Sequence, residues 1–189
     1  HNTNKVVNLD GDQTEIVSGT QIHKIGHSYR TFYMIEFAGI NPENGNPQFY
    51  KNDLLEDGSY NKEITEKASE AKSIMLDKHA EPNVTGGLYN SFRYKWFDLS
   101  FLFNYQFGGW SYDTWAQKTE HGGYDMEANI PTYYADSWKK PGDVTKYEQF
   151  YEKSSSVAMH KITNSRRLHS TDFLRLKTFT LGFTLPKQW

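Results

Sequence analysis

The chain has 189 residues, no cysteine and a formal net charge of -2 at pH 7. This length suits one ordinary domain, the lack of cysteine excludes a disulfide scaffold and thiolate chemistry, and the charge argues against a nucleic-acid partner. Mean hydropathy is low at -0.79, yet 16% of the residues are aromatic, with 13 Tyr, 12 Phe and 5 Trp. A soluble domain draws its core mainly from aliphatic residues. A transmembrane β-barrel instead combines an outward apolar band and aromatic girdles with a polar interior and polar loops. No run approaches the roughly 18 apolar residues that a membrane-spanning helix needs.

In chain order, Asp10, Gly11 and Asp12 read as a turn. Residues 29–40, "YRTFYMIEFAGI", are rich in aromatic and β-branched side chains and predict a strand. "NPENGNP", residues 41–47, is dense in turn formers. Over residues 62–78, Ile64, Ala68, Ala71 and Met75 recur at helical spacing and predict a short, charged surface helix. His23 and His27 stand four apart, a metal spacing only on a helix. Their Gly and Thr neighbours argue against one.

The hairpin that follows is the clearest signal. Val84, Gly86, Leu88, Phe92 and Tyr94 share one parity, and Thr85, Gly87, Tyr89, Ser91 and Arg93 the other. Only Lys95 and Trp96 separate this arm from "FDLSFLFNYQFGG", residues 97–109, which predicts a tight turn. On the second arm Phe97, Leu99, Phe101, Phe103, Tyr105 and Phe107 alternate with Asp98, Ser100, Leu102, Asn104 and Gln106. Successive side chains point to opposite faces of a strand, so one face is aromatic and the other mostly polar. Residues 108–170 form a long irregular stretch, abnormal inside a compact domain but ordinary for an extracellular barrel loop. The last strand, residues 171–185, changes apolar parity near Lys177, and a β-bulge there restores a single apolar face. Pro186 ends it.

Taken together, "PNVTGGLYNSFRYKWFDLSFLFNYQFGG" and "STDFLRLKTFTLGFTLPKQW" resemble late barrel segments of SusC/RagA-like TonB-dependent outer-membrane transporters. The opening stretch, residues 2–50, is similar to what precedes them in that family, and "ADSWKKPGDVTKYEQF" resembles its Trp-containing external loop. The resemblance implies an all-β fold: antiparallel strands of a large transmembrane β-barrel, present in part, with long extracellular loops. The family carries an N-terminal plug and a barrel of about 22 strands. About five strands are expected here, so residues 1–189 read as part of the barrel domain, with the plug and the final strands absent. The implied activity is active import of oligosaccharides or peptides across the outer membrane of a Gram-negative bacterium. The implied partners are a SusD-like surface lipoprotein, outer-membrane lipid and, through the absent N-terminal part, the TonB complex.

On this reading Trp115, Tyr124, Tyr133, Tyr134 and Trp138 are candidate substrate contacts, because flat rings with a polar edge suit pyranose faces. An interfacial aromatic belt or packing against the lipoprotein competes with that role. Asp98, Ser100, Asn104, Gln106 and Arg175 are expected to face the lumen. No Ser/His/Asp set, phosphate loop or paired-carboxylate motif stands out, so no enzyme, cofactor or metal is expected. The rival reading is a soluble, secreted β-sandwich carbohydrate-binding module, which buries the aromatic face against a second sheet.

Overall fold

The computed structural model describes residues 1–123, 129–151 and 162–186. Three strands of 11 residues each form the base: β8 (Val84–Tyr94), β9 (Phe97–Phe107) and β12 (Phe173–Phe183). They pair antiparallel in the order β12, β9, β8. Eleven residues match the roughly 9–11 with which a tilted strand crosses hydrocarbon. Lys95, at φ 50, and Trp96 close the β8–β9 turn, and the Thr184 N–H donates to the Trp96 carbonyl at 2.8 Å, binding β12 to the same end.

The register sets the two faces. Leu88, Phe103 and Leu176 stand in one row, Phe92, Leu99 and Leu181 in another, and Tyr94, Phe97 and Phe183 in a third. Ring contacts knit this face, with Phe97 4.9 Å from Phe183 and Phe101 5.6 Å from Phe103. The expected bulge is present: Leu176 pairs with Phe103 and Thr178 with Leu102, leaving Lys177 as the extra residue. The apolar face is open. Leu174 is 65% and Leu181 66% exposed, whereas a sandwich would bury them against a second sheet, so the sandwich reading fails here.

The other nine strands found among the described residues are short and gather at the end away from the Lys95 turn. β1 (Glu15–Ser18), β2 (Gln21–Lys24), β3 (Thr31–Ile35) and β7 (Ser73–His79) make one antiparallel sheet. β4 (Phe37–Ile40), β5 (Pro47–Tyr50) and β6 (Ile64–Thr65) make a second. β10 (Trp110–Tyr112) and β11 (Leu168–Ser170) form a two-stranded ribbon that continues from β9 and leads into β12. The small core, Phe32, Met34 and Leu168 with Leu76, Ala80, Trp110 and Tyr112 around it, lies in this cap rather than between the long strands.

Four expectations need correction. Residues 62–78 are not a helix. Only a 3₁₀ turn over Ala68–Glu70 forms, and Ile74 and Met75 pair with Met34 and Tyr33 on β3. Two of the four residues at helical spacing were alanines, which offer little surface to bury, so the sheet partner decides. Residues 29–40 are two strands, broken at Glu36, and they join different sheets. The strand count exceeds the expected five because short cap strands carry weak periodicity. Residues 108–170 also contain β10, β11 and a short helix α1 (Thr114–Thr119).

The turn at 41–47 is organised by one carboxylate. Glu66 accepts from the side-chain amides of Asn41 at 2.5 Å, Asn46 at 2.9 Å and Asn44 at 3.0 Å. Burial opposes its charge, but the three amides outweigh burial and hold its pKa below the ordinary 4.5. A depressed folded pKa means that the stabilisation is complete above the ordinary value and is lost as pH falls through the depressed one. Hydrogen exchange at the Asn41 and Gly45 amides, referenced to intrinsic rates, should show protection that is flat from neutral pH to 4.5 and falls below it. Glu66→Gln should abolish that pH dependence. Loss of protection already between pH 7 and 5 would contradict the assignment.

The bulge yields a second prediction. Deleting Lys177 joins Leu176 to Thr178 in regular alternation and keeps one apolar face, whereas deleting Thr180 sends Leu181 and Phe183 to the polar face. In the protein that carries this chain, the Lys177 deletion should still give a barrel that shifts on boiling before electrophoresis. The Thr180 deletion should not. Equal behaviour of the two would refute the register argument.

Candidate functional site

The most structured chemistry lies in the cap, where two local caps aim charged residues inward. Asp113 Oδ1 accepts from the Ala116 N–H at 2.8 Å and starts α1, which delivers Glu120 and His121 into buried positions. Asn164 Oδ1 accepts from the Arg166 N–H at 3.0 Å and starts a 3₁₀ turn over Ser165–Arg167. That turn points two adjacent arginines at the acids. Arg166 Nη1 lies 2.6 Å from Glu148 Oε2, and its Nη2 lies 3.3 Å from Glu120 Oε2. Arg167 Nε lies 3.5 Å from the same Glu120 oxygen. Removing one member of such a buried group typically costs about 3–5 kcal/mol, because it strands the partner charge.

Aromatic rings enclose the cluster. Arg166 sits 4.8 Å over the Tyr147 ring and 5.9 Å from that of Phe37. Tyr134 packs on Tyr147 and Phe150. The Tyr133 hydroxyl donates to Glu120 Oε1 at 3.1 Å. Burial, reinforced by the Glu120 charge, pushes the Tyr133 hydroxyl up to about 12. Burial and then Glu148 push Tyr134 further in the same direction. Burial disfavours the charge on Arg166, but Glu148 and Glu120 more than restore it. The two tyrosines therefore stay neutral and Arg166 stays charged around neutral pH.

Beside the cluster opens a cleft of about 460 Å³. Phe37 and Gly39 of β4, Thr145, Lys146 and Tyr147 of the loop, and His169 of β11 line it above the charged floor. On the other side of the 145–147 strip lies a shallower hollow of about 610 Å³, bordered by Tyr133, Asp136 and Lys139.

The five aromatic residues singled out in the sequence separate by environment. Trp115 is 73% and Tyr133 44% exposed, so both present open ring surface. Tyr134 is 1% exposed and has no free face in this arrangement. Trp138 is engaged by the turn at 41–47: its Nε1–H donates to the Pro42 carbonyl at 2.8 Å. Its ring also covers Gly45, where an added Cβ would meet ring carbons at 2.5–2.9 Å and where φ is +71°. Gly142 N–H to Pro42 O and Gln149 N–H to Gly45 O strap the same loop to that turn. Tyr124 lies outside the described residues. Asp98, Ser100, Asn104, Gln106 and Arg175 share the face opposite Phe101, in rows with Arg93, Ser91, Gly87 and Thr85 of β8. Asp98 lies against Gly182, which leaves it room, and Gln106 donates to Thr171 Oγ1 at 2.9 Å. Sequence reasoning missed the Glu120, Glu148, Arg166 and Arg167 cluster. Only the adjacent arginine pair was visible, because the nearer acid partner of Arg166 is 18 positions away.

No protein-family model matches the chain. It is 32% identical over 99 residues to TonB-dependent receptor P39 of Formosa agariphila, a match that covers 52% of this chain and 9% of that receptor. Among solved structures it is similar to the RagAB peptide transporter, with a TM-score of 0.75 and 26% identity. The RagAB peptide importer in its open-open state gives a TM-score of 0.74 and 25% identity. Each structural match covers 96% of this chain and 19% of the other. The 11-residue strands, the open apolar face, the bulge and these two kinds of likeness agree with the motifs in the sequence. The chain is similar to a segment of SusC/RagA-like TonB-dependent transporters, a stretch of antiparallel barrel wall with its long loops.

Proposed function

We propose that this chain forms wall and outer loops of an outer-membrane TonB-dependent active importer of nutrients, a transport protein rather than an enzyme. The observation that carries the reading is the largely apolar face on β8, β9 and β12, interrupted on β8 by Asn90 opposite Phe101, open on its outer strands and carried by strands long enough to cross hydrocarbon. The polar face, with Asp98, Ser100, Asn104, Gln106 and Arg175, then lines the lumen. Short turns face the periplasm and long loops the exterior in such barrels, which puts Lys95 and Trp96 inside and the cap outside the cell. The plug and the segment that meets the TonB complex belong to parts of the protein beyond these residues.

The cargo on this reading is an oligosaccharide or a peptide. Trp115 and Tyr133 supply open ring faces for a sugar, and Tyr124 stays a candidate beside them. The solved neighbours are described as peptide importers, which favours a peptide. Tyr134 and Trp138 position the loop that carries Tyr133. A SusD-like surface lipoprotein is the expected partner, seated on the cap.

A paired substitution tests the membrane role. Phe101 is near the middle of β9 on the apolar face, and Ser100 is its neighbour on the other. A charge on the lipid face at midplane costs about 2–4 kcal/mol. In the full protein, Phe101→Arg should sharply reduce the heat-modifiable outer-membrane form seen on gels, and Ser100→Arg should reduce it much less. Equal loss at both positions, or a soluble protein of 22.0 kDa, would sink the importer reading.

A further inference from the structure

The charges around the 460 Å³ cleft do not balance. Its floor is neutral in sum, since Arg166 and Arg167 face Glu120 and Glu148. Lys146 adds an ammonium on the lining, is exposed, and enters no ion pair among the described residues. Exposed His169 lines the same cleft. Of the acids that flank Lys146 on the loop, Glu148 is paired with Arg166, and Asp143 Oδ2 accepts from the Lys139 and Lys140 backbone N–H groups at 3.2 and 3.1 Å. The walls are the Tyr147 and Phe37 rings, both half-buried and braced against Arg166.

A volume of this size is in the range of small-molecule sites. Its chemistry is an unpaired cation at the rim, aromatic walls and a floor whose guanidiniums are already ion-paired with Glu120 and Glu148. We propose that the cleft is a subsite for a carboxylate borne by the transported ligand, bound at the rim by Lys146 with His169 beside it, while the stem that carries the carboxylate lies on Tyr147 and Phe37. The acid does not reach the floor, because displacing Glu120 or Glu148 from the arginines would strand a buried charge. The proposal rests on the importer reading and narrows its cargo to acidic ligands: a peptide with a free carboxylate or a uronate-containing glycan.

The test uses the full transporter purified in detergent, and isothermal titration with two matched pairs of probes. One pair is a ten-residue Ala/Ser/Gly peptide with a free C-terminal carboxylate and its C-terminal amide. The other is trigalacturonate and its methyl ester. One acid form should bind at least tenfold tighter than its neutral twin, and the pair that shows the difference identifies the source of the carboxylate. Lys146→Glu should erase that preference, whereas Lys146→Arg should keep it. Equal affinity of acid and neutral twins, binding of neither acid, or an undiminished preference in Lys146→Glu would each overturn the subsite. A heat-modifiable barrel that lacks the preference leaves the importer reading standing, whereas absence of any such barrel removes that reading itself.

Discussion

On the barrel reading every peptide group on β8, β9 and β12 has to be paired, because hydrocarbon offers no other partner and each orphaned group costs several kcal/mol. The three-strand ladder meets this demand along β9, which is flanked by paired strands on both sides from Phe97 to Gln106. Once the ladder is fixed, the side chains have no freedom of face. Register alone then divides Phe101 from Ser100 and Leu181 from Gly182. The Lys177 bulge is the one place where the sequence and the strict ladder disagree, and it absorbs the extra residue without exchanging the faces.

The cap obeys a different rule. Its apolar core is small. Its loops are held instead by directional contacts: Glu66 gathers three asparagine amides, Trp138 closes on Gly45 and Pro42, and Arg166 bridges Glu148 and Glu120. Such contacts tolerate little displacement, which gives long loops a defined geometry that few aliphatic residues could supply. The low mean hydropathy and high aromatic content follow from this division, since rings serve both the open barrel face and the shielding of buried ions.

What the sequence disclosed follows the same division. Alternation of period two is a local property, so the β8–β9 hairpin, its two-residue turn and the bulge at Lys177 were readable residue by residue. The cap was not. Residues 73–79 carry no decisive pattern of their own and become a strand because β3 lies alongside. Arg166 and Arg167 read as a mere basic pair until the fold brings Glu120 and Glu148 to them. Trp138 read as a ligand platform because its type suits one. Only the approach of Gly45 from far along the chain shows that its N–H and one ring face are already engaged.

The buried ions also explain why the cleft discriminates at its rim and not at its floor. Arg166 is held between two carboxylates and two rings, so its charge is neutralised and its plane is set before any ligand arrives. A ligand that drew on that charge would have to break a desolvated pair. Lys146 stands in water, where a contact forms and dissolves with little reorganisation. On the importer reading what is captured has to be released, and a weak exposed cation over a rigid, ion-paired floor meets that need better than a deep arginine would.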